Sequence, residues 1–158
     1  MNFPFLFFLG QKNTLHLDLS VSNPSSVFSQ TNSTGSFNQF RSAMDFFHKA
    51  KAVRLRSHHE KYLHADEDEE SVLQDRNGSA KNAKWTVEPV PGSESVIRLK
   101  SCYSKYLTAS DHHFLLGMTG RKVLQTSPRR LDSSVEWEPV REGAQIKLRT
   151  RYGNFLRA

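Results

Sequence analysis

Three stretches of the chain align without a gap: VRLRSHHEKYLHA at residues 53–65, IRLKSCYSKYLTA at 97–109 and IKLRTRYGNFLRA at 146–158. In every copy the first position is β-branched, the third is Leu, the second and fourth are basic and the fifth is Ser or Thr. The tenth is Tyr or Phe, followed by Leu. Strict alternation of this kind is the pattern of a half-buried strand. Val53 and Leu55, Ile97 and Leu99, and Ile146 and Leu148 are expected to face inward, and the basic residues between them outward. A short polar stretch then turns the chain into a second strand at Lys61-Tyr62-Leu63, Lys105-Tyr106-Leu107 and Asn154-Phe155-Leu156, so each copy predicts a β-hairpin.

The sequence between the copies repeats as well. Val72-Leu73-Gln74 leads to Trp85-Thr86-Val87-Glu88-Pro89-Val90, and Val123-Leu124-Gln125 leads to Trp137-Glu138-Pro139-Val140. Each full unit therefore has four strands, at a period near 45 residues. Three such units are too few to close a propeller but suit a three-lobed closed architecture, the β-trefoil. The lobes are expected at about 50–92, 93–141 and 142–158. Trp85 and Trp137 hold equivalent places and read as core anchors of the fourth strand, which Pro89 and Pro139 would end because proline cannot donate to a ladder. The third unit reaches Ala158 directly after its first hairpin, two strands short. The alternating segment Leu15 to Val21 is the one candidate within the chain for covering the open edge.

Length and composition agree with a single globular domain: 158 residues, 37% hydrophobic and 24% charged. A lone Cys102 cannot form an internal disulfide, which favours a reducing compartment, the cytoplasm or the nucleus. No stretch approaches the roughly 20 apolar residues of a membrane span. The apolar run Phe3 to Leu9 has no Lys or Arg before it and is short for a secretory signal. Ser22 to Ala43 reads as a polar linker, so residues 1–43 are expected to be a poorly ordered extension or a misassigned start whose deletion leaves melting unchanged. The net charge is +6. Residues 44–96 carry eight basic and ten acidic side chains, whereas 97–158 carry twelve and five, so the cationic excess belongs to the second half.

MDFFHKAKAVRLRSHHEKYLHADEDEESV (44–72), the KYLTA hairpin (105–109) and RRLDSSVEWEPV (129–140) together resemble a plant family called domain of unknown function 569, described as actin cross-linking proteins and similar to the fascin-type trefoils that bind actin. The resemblance spans residues 44–158. It implies the trefoil fold and an actin filament as partner. Met44 resembles the usual start of the family, whose members continue beyond the position of Ala158 with a final Trp-containing strand pair.

Among the residues themselves, the outward pairs Arg54 and Arg56, Arg98 and Lys100, and Lys147 and Arg149 are the candidate partner-binding positions. The later lobes add Arg121, Lys122, Arg129, Arg130 and Arg151. Such a field suits an acidic protein surface, and reversing exposed strand charges is expected to spare folding. Cross-linking would ask for two sites per particle or for self-association. No enzyme, metal or cofactor is expected. Cys102 falls in a hairpin turn with no nucleophile signature around it, and adjacent histidines such as His58-His59 and His112-His113 point to opposite faces of a strand and lack zinc spacing. The run Asp66 to Glu70 lacks the glycine and spacing of a calcium loop. Asn77-Gly78-Ser79 is a sequon in form but reads as a tight turn. A carbohydrate-binding trefoil is the alternative. Ricin-type lectin repeats, however, carry Gln two residues before a Trp, where this chain has Ala83 and Val135. Nucleic-acid binding would rest on charge alone and is not expected.

Overall fold

The computed structural model describes residues 8–10, 18–21, 43–113, 120–143 and 145–158. In chain order the strands are β1 (Phe8–Gly10), β2 (Asp18–Val21), β3 (Ala52–Arg56), β4 (Tyr62–Ala65), β5 (Val72–Asp75), β6 (Trp85–Pro89), β7 (Ile97–Lys100), β8 (Tyr106–His113), β9 (Arg121–Thr126), β10 (Glu138–Glu142), β11 (Gln145–Arg149) and β12 (Phe155–Arg157). One helix, α1 (Ala43–Lys49), precedes β3. Asp45 lies in its first turn and His48 and Lys49 in its last, which suits the helix dipole, and Phe47 buries its ring edge-on to Phe46.

The first lobe is β3 to β6. β3 pairs with β4, β4 with β5, and β6 returns to β3 through Val53 opposite Trp85 before crossing to the next lobe with Val87 opposite Leu99. The second lobe, β7 to β10, repeats this. β7 pairs with β8 and β8 with β9, Ile97 lies opposite Trp137, and Pro139 lies opposite Leu148 of the third lobe. The three hairpin turns share one geometry. Ser57, Ser101 and Thr150 each accept a backbone bond from the residue three ahead and donate one to the residue four ahead. The eighth position of the repeat is left-handed in all three, at Glu60 (φ 59°), Ser104 (φ 62°) and Gly153 (φ 81°). All-β three-lobed architecture is therefore what the alternation produces.

Val53, Leu55, Ile97, Leu99 and Leu148 are buried as their spacing requires, and Ile146 is half-buried. Trp85 and Trp137 are completely buried, and each indole nitrogen donates to the carbonyl oxygen of the second strand, Leu63 at 3.0 Å and Leu107 at 2.9 Å. The repeated Gln is structural too. Ser57 donates to Gln74 Oε1 at 3.1 Å and Ser101 to Gln125 Oε1 at 2.9 Å, so these buried side chains find each other inside the first and second lobes.

In the third lobe β11 pairs with β12, and the N-terminal strands follow in space. β1 lies antiparallel to β12 with Leu9 opposite Leu156, and β2 lies antiparallel to β3 with Leu19 opposite Leu55. Leu156 is the counterpart of Leu63 and Leu107, which face Gln74 and Gln125 of the third strands; Leu55 is the counterpart of Leu99 and Leu148, which face Val87 and Pro139 of the fourth. β1 and β2 thus stand in the third- and fourth-strand places of the third lobe, in the same register as the other two. Residues before Met44 take a part in the sheet that an extension does not have, so the expectation that their deletion is harmless no longer follows. The polar linker from Ser22 lies outside the described residues as far as Ser42, and Ala43 opens the helix.

Candidate functional site

The candidate basic residues lie on the first strand of each lobe, between buried apolar neighbours, and carboxylates meet five of the six. Arg98 Nη2 donates to Glu136 Oε1 at 2.7 Å, with both side chains largely buried. Arg149 donates through Nε and Nη2 to Glu138 Oε2 at 3.0 and 2.7 Å. Lys147 pairs with Glu142, and Arg56 with Glu60 at 3.2 Å. Lys100 Nζ stands 3.4 Å from Glu88, whose other oxygen accepts from the Tyr106 hydroxyl at 2.8 Å. The Glu88 carboxylate raises the lysine's pKa, with Tyr106 contributing, and the same hydrogen bond raises that of Tyr106. Arg54, half-buried, lies opposite Ser20 of β2. These carboxylates sit on neighbouring strands and turns, so the alternating basic rows form a locally neutralised lattice. Reversing Arg98 or Arg149 would strand a carboxylate inside it, contrary to the expectation that such changes spare folding.

Other cations have no such partner. Among the described residues no carboxylate lies within ion-pair distance of Arg129, Arg130 or Arg151, all three exposed. Arg129 and Arg130 precede Asp132, and Arg151 sits in the β11–β12 turn. Arg121 pairs with Asp111 at 2.5 Å.

Between these two turns runs a groove of about 540 Å³. Ala109, Ser110 and Asp111 of β8 with Arg121 of β9 form one wall, Asp132 to Ser134 the second, and Thr150, Tyr152 and Asn154 the third. Asp132 caps a short 3-10 turn (Ser133–Val135), accepting from Ser134 N at 2.8 Å. Hydrogen bonds from the Ser134 hydroxyl and then its backbone hold this carboxyl below the usual range. The Tyr152 ring is 80% exposed. Sequence reading did not single out Tyr152, Asp132 or Asn154, because they converge from separate lobes.

None of the remaining candidates lines this groove. Cys102 is exposed in its turn. His58 and His59 do not point apart: both follow β3 in the turn, and their rings lie 3.7 Å apart. Among the described residues no group of three or more His, Cys, Asp or Glu could hold a metal ion. Asp68 folds the acidic loop on itself, accepting from the backbone of Glu70 and Ser71 at 2.8 and 2.7 Å. A Cβ on Gly78 would come within 2.6 Å of the Tyr62 ring, so the sequon is held as a turn packed against β4. No helix among the described residues is long and apolar enough to cross a membrane.

Repeat register, paired tryptophans and turn geometry all lie within residues 44–158, and the family model for the β-trefoil domain of unknown function DUF569 matches that range. The chain belongs to the DUF569 family. No curated protein matches it at a significant level. The groove and the unpaired arginines lie inside the DUF569 match, whereas β1 and β2 precede it.

Proposed function

We propose that this DUF569 domain is a non-enzymatic binding module that docks an acidic protein surface, the actin filament being the partner its family resemblance implies. One observation carries the reading. In residues 97–158 four of the five side-chain carboxylates are taken up by ion pairs within the fold, while Arg129, Arg130 and Arg151 are exposed and find no carboxylate among the described residues. Five of the six strand cations suggested by alternation are matched to carboxylates, so the contact falls to these turn arginines instead. Charge of this kind steers association and is screened by salt over about 8 Å at physiological ionic strength.

Cosedimentation with actin filaments tests it. Wild-type protein should bind saturably at low salt and weaken as salt rises, and the triple variant Arg129→Glu, Arg130→Glu, Arg151→Glu should bind at least about tenfold more weakly, equivalent to 1.4 kcal/mol. Its melting should match the wild type, because exposed unpaired charges contribute little to stability. A folded wild type with no saturable cosedimentation would overturn the actin reading.

A further inference from the structure

The trefoil's internal symmetry makes its own control, because the groove on the third hairpin has a counterpart on the second. Position nine of the repeat is Lys105 in the second lobe, and its ammonium crosses to the first lobe, donating to the Glu69 carbonyl at 2.7 Å and pairing with the Glu69 carboxylate at 3.4 Å. Position seven there is Tyr103, half-buried and packed against the core. That junction is strapped shut. In the third lobe position nine is Asn154 and position seven is Tyr152. Among the described residues no strap forms: the backbone of Asn154 bonds to Thr150, and its side-chain amide makes no hydrogen bond. Tyr152 stands clear of the core, and a Cβ built on the neighbouring Gly153 would meet nothing within 4 Å.

We infer that this open junction is a binding site for a neutral saccharide, with Tyr152 as the stacking face and Asn154 and Asp132 as the polar groups that read hydroxyls. An exposed aromatic ring beside an uncommitted amide and an ionised carboxylate is complementary to a sugar, which offers an apolar C–H face and a rim of donors and acceptors. The Ser110, Ser133 and Ser134 hydroxyls line the same groove. Its volume of about 540 Å³ falls within the ~300–1,000 Å³ of small-ligand clefts. The charge on the walls favours a neutral ligand. Asp111 and Arg121 in the lining pair with each other, which leaves Asp132 as its uncompensated charge and gives an anion nothing to pair with inside the groove; the exposed Arg129, Arg130 and Arg151 in the flanking turns offset that charge against a cation. This site goes beyond the protein-docking reading, and its test contains no actin.

The full chain is applied to an array of neutral and sulfated oligosaccharides, and the strongest neutral binder is then titrated calorimetrically. Tyr152→Ala should weaken binding at least about tenfold, Tyr152→Phe should retain most of it because the ring face remains, and Asn154→Lys should abolish it by restoring the second lobe's side chain. Unchanged melting of all three variants certifies that folding is intact, as expected for exposed or half-buried turn positions. The inference is overturned if folded wild type binds no neutral glycan, if it binds sulfated glycans alone, or if Tyr152→Ala and Asn154→Lys leave the affinity unchanged.

Discussion

The indole nitrogen of Trp85 donates to the carbonyl oxygen of Leu63 across 3.0 Å, deep in the first lobe and with the ring fully buried. Trp137 repeats the bond to Leu107 in the second. Each indole therefore fills the core and satisfies a strand carbonyl that has no access to water. Trp85→Ala should lower stability by roughly 3–5 kcal/mol, the usual cost of deleting a core aromatic. Trp85→Phe keeps most of the volume and isolates the hydrogen bond, for which a loss of about 1–3 kcal/mol is expected from the stranded carbonyl. Urea unfolding reads both, and an unchanged midpoint for Trp85→Ala would contradict the buried placement.

Deleting residues 1–21 should destabilise the domain although every family-matched residue remains. β1 bridges β12 and β9, and β2 covers β3, so the truncated chain exposes three strand edges. At about 0.5–1.5 kcal/mol for each ladder bond lost, a drop of several kcal/mol is expected. Thermal melting of full-length and truncated protein decides the matter. Coincident curves would mean that β1 and β2 add nothing to the sheet's stability.

His64 should make stability depend on pH. It is 3% exposed on β4, and its Nε2 makes no hydrogen bond among the described residues. Burial holds its pKa below the ordinary imidazole value, with Asp75 and then the backbone at Asn77 opposing the shift. With the folded value below the unfolded one of about 6.5, the unfolded chain takes up the proton first. The neutral-state stability is therefore complete above pH 6.5 and declines as pH falls through it. His64→Thr installs the second lobe's residue, Thr108, and should flatten this decline. Urea midpoints at pH 7.5 and 5.5 for both proteins test it, and equal slopes would remove His64 from the account.

The repeat and its alternation were enough to determine the trefoil, the inward and outward faces of each first strand and the paired tryptophans. Side-chain direction along a strand is a local property with period two, and three aligned copies leave little freedom in how strands of that kind pack. The helix at Ala43–Lys49 was not legible, being seven residues long and dominated by the packing of Phe47.

What each outward residue meets is decided at a distance. Arg149 finds Glu138 eleven positions away and Arg98 finds Glu136 thirty-eight away, separations that alternation does not encode. Basic strand faces that read as a free cationic surface are for that reason largely neutralised, and the unpaired charge moves to the turns. The third lobe is completed by residues from the opposite end of the chain, and the groove joins side chains from two lobes. Local pattern determines which way a residue faces; only the folded chain, by bringing sequence-distant groups within a few ångströms, determines what it faces.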